Sequence, residues 1–282
     1  MPILVTLART GSVPIVVCRC GLALPLLAVL ATVEQRRRGP RQLASRGYAV
    51  LAGLFLSVDL VLFNHTIADV GAGVSTVIGS LYVPFVAILA WVVLRERPGR
   101  RYLTALPVML VGLVLVSGLA GGGGTALHPA AGVITGIAAS AAYACFLLIL
   151  RHAAGQAGHV AGQLFDATAG AAAGALLLGL VFGGMDLAVP LRSLVWLVLL
   201  ALLVQTAGWL LITSSLPHLP AAVSSLMLLV QPTAAIVLAA VILGQRPALV
   251  QMAGAVLVCA GVLTMAKSRA PGSEADRDSR QR

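Results

Sequence analysis

The chain contains few charged residues. Only 10% of its 282 residues are Asp, Glu, Lys or Arg, whereas 59% are hydrophobic, and the mean hydropathy is +1.00. Soluble domains carry about 25% charged residues, so this chain has too little polar surface to face water on all sides. The composition excludes a soluble globule and predicts an integral membrane protein.

Several chemical signatures are also missing. The four cysteines lie within apolar segments and include only one Cys-x-Cys pair, which indicates neither a metal site nor a disulfide framework. No glycine-rich loop for binding phosphate is present, which argues against an ATP-driven pump, and we expect no cofactor. No protease motif surrounds Asp59 or Asp166, so we predict no catalytic residues. An intramembrane enzyme and a non-transporting scaffold are the alternatives.

The basic residues lie in short clusters. A net charge of +10 and a pI of 10.7 would suit nucleic acid, but the arginines separate apolar runs of about 20 residues, which is typical of cytoplasmic loops. Nucleic acid is therefore not a predicted partner. The runs lack the alternation of outer-membrane strands and predict an all-α bundle of about nine transmembrane helices. The predicted spans are 14–33, 48–67, 71–94, 103–120, 131–150, 160–183, 193–215, 220–243 and 249–266.

Most arginines fall on one side of the membrane if these spans alternate in direction. The positive-inside rule makes that side cytoplasmic, which places the C-terminus in the cytoplasm and Met1 outside. We expect a multi-pass protein of the plasma or inner membrane. The arginines on the cytoplasmic side are Arg36, Arg37, Arg38, Arg41, Arg46, Arg95, Arg97, Arg100, Arg101, Arg151 and those of the C-terminal tail.

One sequence pattern occurs twice. In each copy an apolar helix contains a central proline, Pro84 or Pro232, and is followed by a second apolar helix with a matching glycine, Gly112 or Gly261. We expect the prolines to act as hinges and the glycines to have a structural role in the helices. Each proline should also leave one carbonyl, for example that of Ser80, without its usual hydrogen-bond donor.

The two copies face opposite sides of the membrane. The turn at Arg97-Pro98 lies among four arginines, whereas its equivalent, Arg246-Pro247, contains only one. Opposite orientation predicts two inverted repeats, an arrangement typical of secondary transporters. The predicted organisation is a first repeat at 1–120, a glycine-rich external linker at 121–130, a second repeat at 131–267 and a disordered cytoplasmic tail at 268–282.

The repeats contain four and five helices, so the first repeat lacks the counterpart of the span at 131–150. We expect that the chain begins at an internal methionine and that about 20 apolar residues precede it, by the symmetry of such repeats. The alternative is a native protein of nine spans.

The sequence resembles the EamA-like transporters of the drug/metabolite transporter superfamily. The resemblance is carried by the closing glycine helices and by two helix ends, Leu94-Arg95-Glu96-Arg97 and Leu243-Gly244-Gln245-Arg246. It implies a ten-helix fold and the export or exchange of small metabolites across the inner membrane. The family usually has an acidic residue where this chain has Gln245, so we interpret Glu96 as an ion-pair partner of nearby arginines.

Asp59 falls halfway along its predicted span. An ionised aspartate at the bilayer centre costs about 3 kcal/mol, so Asp59 should face the bundle interior. There it would bind a cationic group or exchange a proton during transport. The alternative is a neutral aspartate that is hydrogen-bonded to a neighbouring helix.

Other polar and aromatic residues share this depth. Hydroxyl and amide groups are costly against lipid, so a central substrate cavity is the simplest arrangement, and interhelical hydrogen bonds are the alternative. We expect Asp166 to be an inner-vestibule carboxylate or a wetted helix-end residue. Arg19 is expected to extend to the membrane surface, with substrate contact as its alternative. The midplane residues besides Asp59 are Tyr82, Tyr143, Gln205, Trp209 and Gln231.

These patterns together predict a secondary active transporter that works by alternating access. Its partners would be a small-molecule substrate, the lipid bilayer and protons as the candidate coupling ion, and a homodimer is compatible with this interpretation. Amino acids, other small metabolites and drugs all suit the predicted cavity. The segment from Gly170 to Gly174 is predicted to be a close-packing surface.

Overall fold

The structure is a computed structural model that describes residues 12–95, 98–116, 129–157, 159–182, 191–215, 218–219, 221–228 and 249–267. These residues form helices and short connections, with no strand among them. The helices are α1 Ser12–Arg38, α2 Leu43–Gly79, α3 Tyr82–Leu94, α4 Arg100–Val116, α5 Pro129–Ala157, α6 Val160–Phe182, α7 Leu191–Leu199, the π-helical segment Leu200–Gly208, α8 Trp209–Ser215, α9 Ala221–Leu228 and α10 Leu249–Lys267.

Among the described residues, six helical stretches are long and apolar enough to cross a membrane, and two shorter apolar helices lie at Tyr102–Leu115 and Met252–Gly261. The prediction of an all-α membrane fold is confirmed. The predicted span at 220–243 lies largely outside the described residues. The six stretches are Val13–Arg38, Leu43–Val70, Val77–Leu94, Ala130–Ala153, Val160–Val181 and Ser193–Ser215.

One predicted boundary is wrong. The sequence suggested a break near residue 68, but α2 continues to Gly79 and the chain turns at Ser80 and Leu81. Pro84 therefore lies in the first turn of α3, where a missing N–H costs no helical hydrogen bond. The carbonyl of Ser80 is not free either, because it accepts a hydrogen bond of 3.1 Å from the Val83 N–H.

Ser140 of α5 lies against this turn. Its hydroxyl is 2.9 Å from the carbonyl oxygen of Ile78 and 3.0 Å from that of Gly79. A helix end leaves carbonyls without intrahelical donors, and a side chain can supply one. Ser140 therefore stabilises the break between α2 and α3, a role that the sequence did not predict.

The described chain divides into two compact units. The first contains α1, α2, α3, α5, α6 and the stretch from α7 to α8, and α2 packs along both α5 and α6. At the crossing of α2 and α6, a Cβ on Gly53 would overlap the backbone of Ala167, and one on Gly170 would overlap the backbone of Val50. The prediction of close packing around Gly170 is confirmed.

The second unit contains α4, most of α9, and α10. A Cβ on Gly112 would lie 2.9 Å from the carbonyl oxygen of Gly254, and one on Gly261 would overlap the side chain of Met109. Both repeat-related glycines thus lie where α4 and α10 pack together. Their small size allows this approach, as in other membrane helix pairs.

Candidate functional site

Arg19 lies in the interior of the first unit. It is only 1% exposed, and its Nε donates a hydrogen bond of 2.9 Å to Oε1 of Gln205. The expectation that Arg19 extends to the membrane surface is therefore wrong. A guanidinium at this position is tolerated because the protein supplies polar partners that lipid cannot offer.

Gln205 lies in the π-helical segment and connects three helical elements. Its Nε2 donates to Oγ1 of Thr168 in α6 at 3.1 Å, while its Oε1 accepts from Arg19 in α1. The wide turn is visible at Thr206, whose hydroxyl donates to the carbonyl of Ala201, five residues earlier, at 2.9 Å. Such π-helical turns are frequent at functional sites.

Asp59 of α2 belongs to the same region. It lies close enough to Arg19 for an electrostatic attraction between the two side chains, and Tyr143 lies nearby. Arg19, Thr168 and Gln205 are buried and Asp59 is half-buried beside them. We call these four residues the buried polar cluster. It contains one acidic and one basic side chain within helices that are otherwise mostly apolar, a rare composition that favours a functional site.

An aromatic cluster adjoins these charges. It consists of Tyr82, Tyr143, Phe146 and Trp209, from α3, α5 and α8. The ring centroids of Tyr82 and Tyr143 are 4.9 Å apart, and those of Phe146 and Trp209 are also 4.9 Å apart, both with edge-to-face geometry. Tyr143 lies 6.3 Å from Trp209. Because Tyr143 also lies near Asp59, the two clusters adjoin each other.

The structure thus brings together five of the predicted site residues. Substrate binding by these residues stays a prediction, as does the hinge role of Pro84. Gln231 and Pro232 lie outside the described residues, as do Glu96, Arg97, Gln245, Arg246 and Pro247. The five residues are Asp59, Tyr82, Tyr143, Gln205 and Trp209.

Asp166 lies in a separate arginine–aspartate cluster with Arg41 and Arg46. Its Oδ2 is 2.7 Å from Nη1 of Arg41 and 3.5 Å from Nε of Arg46. Asp166 is 3% exposed, so the alternative of a wetted helix-end residue is wrong. Its role in an inner vestibule stays a prediction.

The first turn of α6 is shaped for this ion pair. The Arg41 guanidinium lies over Gly162, where a Cβ would be 2.6 Å from Cζ. Glu34, at the end of α1, accepts hydrogen bonds of 2.9 Å from the N–H groups of Val160 and Gly162. A carboxylate at a helix N-terminus satisfies free amides and complements the helix dipole. The α1–α2 connection is therefore tied to α6, not merely solvated.

Two features of the buried polar cluster were not predicted from the sequence, namely the burial of Arg19 against Gln205 and the presence of Thr168. Arg19 carried a signal, since an arginine inside an apolar run rarely contacts lipid, but its partner Gln205 is 186 residues away. Thr168 carried no signal, because threonine is common in membrane helices. In the part of the chain that the structure describes, no group of three or more His, Cys, Asp or Glu residues could hold a metal ion.

Comparisons with known proteins agree with this architecture. The model of the EamA-like transporter family matches residues 3–118 and 130–266. One solved crystal structure shares the fold with a TM-score of 0.72 and 15% sequence identity, over 91% of this chain and 89% of its own. At that identity the likeness concerns the fold alone. No curated protein matches the chain. Because the family match covers two repeats and most of the chain, the protein belongs to the EamA-like transporter family.

Proposed function

We propose that the protein is a secondary active transporter that moves small metabolites or drugs across the plasma or inner membrane by alternating access. The family assignment supports transport in general. The observation that carries the finer proposal is that the buried Arg19 and the half-buried Asp59 lie near each other within one membrane-spanning unit. Opposite charges held inside a bundle are typical of substrate and ion pathways.

The buried polar cluster offers matched contacts for a small polar solute. An acidic group of the substrate can replace Gln205 as the acceptor for the Arg19 guanidinium, which prefers planar anions. A basic group, or a proton, can bind to Asp59. The adjoining rings of Tyr82, Tyr143 and Trp209 offer apolar and π surfaces to the rest of the molecule.

The Arg19–Gln205 part of the site is closed to solvent in this conformation, whereas Asp59, Tyr82 and Tyr143 are half-buried, and this arrangement suits an alternating-access cycle. Arg19 is 1% exposed and Gln205 is 0% exposed, so a substrate reaches them only after helices move. A substrate that enters or leaves at the end near Arg41 and Arg46 would require the α1–α2 connection to separate from α6. The Arg41–Asp166 ion pair would then have to open. We propose that this end is cytoplasmic, that export is the direction of transport and that protons are the coupling ion.

The experiment is solute flux in proteoliposomes with and without a pH gradient. We would screen labelled amino acids, nucleosides and amphiphilic dyes, and expect net movement that the gradient accelerates. Asp59→Asn should abolish the pH response while membrane insertion is preserved. Asp69→Asn is the matched control, since it removes a carboxylate from the same helix about 15 Å away, at 1.5 Å per residue.

Two outcomes would contradict the proposal. An unchanged flux and pH response in Asp59→Asn would show that Asp59 is structural and that protons are not coupled through it. Hydrolysis of a lipid or peptide without net solute movement would instead favour an intramembrane enzyme.

A further inference from the structure

A pocket lies at the end of the first unit that carries Arg36, Arg37 and Arg38. Its volume is about 320 Å³, and it is bounded by the end of α1, the start of α6 and one residue of α8. Arg37 and Arg38 line it together with Leu30, Val33 and Leu210. The pocket therefore combines two cationic side chains with an apolar wall. It shares no residue with the buried polar cluster.

The pocket has a positive electrostatic character. Glu34 is its one acidic lining residue, and both oxygens of that carboxylate already accept backbone N–H groups at the start of α6. Arg37 is exposed and has no ion-pair partner in the described part of the chain. Arg38 already has an interaction within the protein, but each guanidinium has five N–H donors and binds phosphate in bidentate geometry. A ligand with a phosphate group would therefore balance the two cationic charges, which exceed the single charge of Glu34.

The apolar wall continues along the membrane-facing side of α1. Leu22, Leu26, Val29 and Val33 are exposed and follow one another at spacings of three or four residues, so they lie on one face of the helix. This apolar face ends at the three arginines of the last turn of α1. An apolar strip that leads to paired cations matches the shape and chemistry of a phospholipid, with acyl chains beside the helix and a headgroup at its end.

We propose that this pocket is a specific site for an anionic phospholipid, whose phosphate is bound by Arg37 and Arg38 and whose acyl chain packs on Leu30, Val33 and Leu210. Basic pockets between membrane helices bind anionic headgroups in this way. The lipid would bridge α1 to α6 and α8. The inference is independent of the transported substrate.

The test uses the full-length protein in nanodiscs of phosphatidylcholine into which phosphatidylglycerol is titrated, with bound lipid counted by native mass spectrometry. At about 1 kcal/mol per arginine, Arg37→Gln and Arg38→Gln should each weaken binding about fivefold, and the double variant about 30-fold. Arg36→Gln is the matched control, since it removes the same charge from the adjacent position, which does not line the pocket. It should weaken binding less than twofold.

These results distinguish a specific lipid-binding site from nonspecific electrostatic attraction between the arginines and anionic lipids. Equal losses in the Arg36, Arg37 and Arg38 variants would overturn the proposal, because they would show only attraction to a charged surface. Glycerol phosphate added at the same concentration tests the acyl contribution. If it competes as well as the lipid, the pocket binds free phosphate compounds and the lipid assignment is wrong.

Discussion

The ion pair between Arg41 and Asp166 yields the sharpest prediction about stability. Replacement of Asp166 by asparagine keeps the size of the side chain but removes its charge. The Arg41 side chain is 7% exposed and that of Asp166 is 4% exposed, so the guanidinium would stay buried without a counter-charge. Arg46 makes a longer contact of 3.5 Å to the same oxygen from a side chain that is 52% exposed.

The two arginines should therefore differ in importance. Removal of one partner of a buried ion pair costs about 3–5 kcal/mol, so Asp166→Asn and Arg41→Gln should each lower the free energy of unfolding by that amount. An exposed pair contributes about 0–1 kcal/mol, which is the loss expected for Arg46→Gln. The double variant Asp166→Asn with Arg41→Gln should lose less than the sum of the two single variants, because they share one interaction.

Equilibrium unfolding in mixed micelles, with sodium dodecyl sulfate as the denaturant and helical circular dichroism as the signal, would measure these differences. The wild type and all four variants should be compared at one protein concentration and one pH. If Arg46→Gln destabilises the protein as much as Arg41→Gln, burial does not determine how much each arginine contributes to the free energy of unfolding. If Asp166→Asn stays within about 1 kcal/mol of the wild type, the ion pair contributes little.

Three further substitutions test the packing and the hydrogen bonds of the first unit. Gly53→Ala should lower the free energy of unfolding by about 1–3 kcal/mol, because its Cβ would overlap the backbone of Ala167. Gly21→Ala, where nothing lies within 4 Å, should be neutral or raise stability by about 0.5–1 kcal/mol. Ser140→Ala should cost about 0.5–1.5 kcal/mol, since the single hydroxyl proton, which the carbonyls of Gly136, Ile78 and Gly79 share, is lost. Thermal unfolding in one detergent would rank the three variants, and a smaller loss for Gly53→Ala than for Gly21→Ala would contradict the packing argument.

The class of fold was predictable from the sequence because hydropathy is a local property. A run of about 20 apolar residues identifies a span whatever surrounds it, and so six of the predicted spans reappear as long apolar helices. Close packing at Gly170 was predictable for a similar reason, since small residues four positions apart share one helix face.

Features that depend on distant partners were not predictable. Arg19 looked like a residue near the membrane surface, because its acceptor Gln205 lies in another repeat. The break in the chain at Ser80, instead of near residue 68, depends on Ser140 of α5. The amino-acid composition of Leu200–Gly208 does not distinguish this π-helical segment from an α-helix. Depth along a span did select Tyr82 and Tyr143, whose rings meet in the structure, because equal depth is a condition for lateral contact.

The pairing of α4 with α10 has a consequence for how the protein can be assembled. These helices close the first and second repeats, yet they pack on each other, and α2 of the first repeat packs on α5 and α6 of the second. In the described part of the chain, each repeat thus packs a large part of its helical surface against the other. Split between the repeats and co-expressed, the two fragments should recombine, whereas either fragment made alone should be degraded.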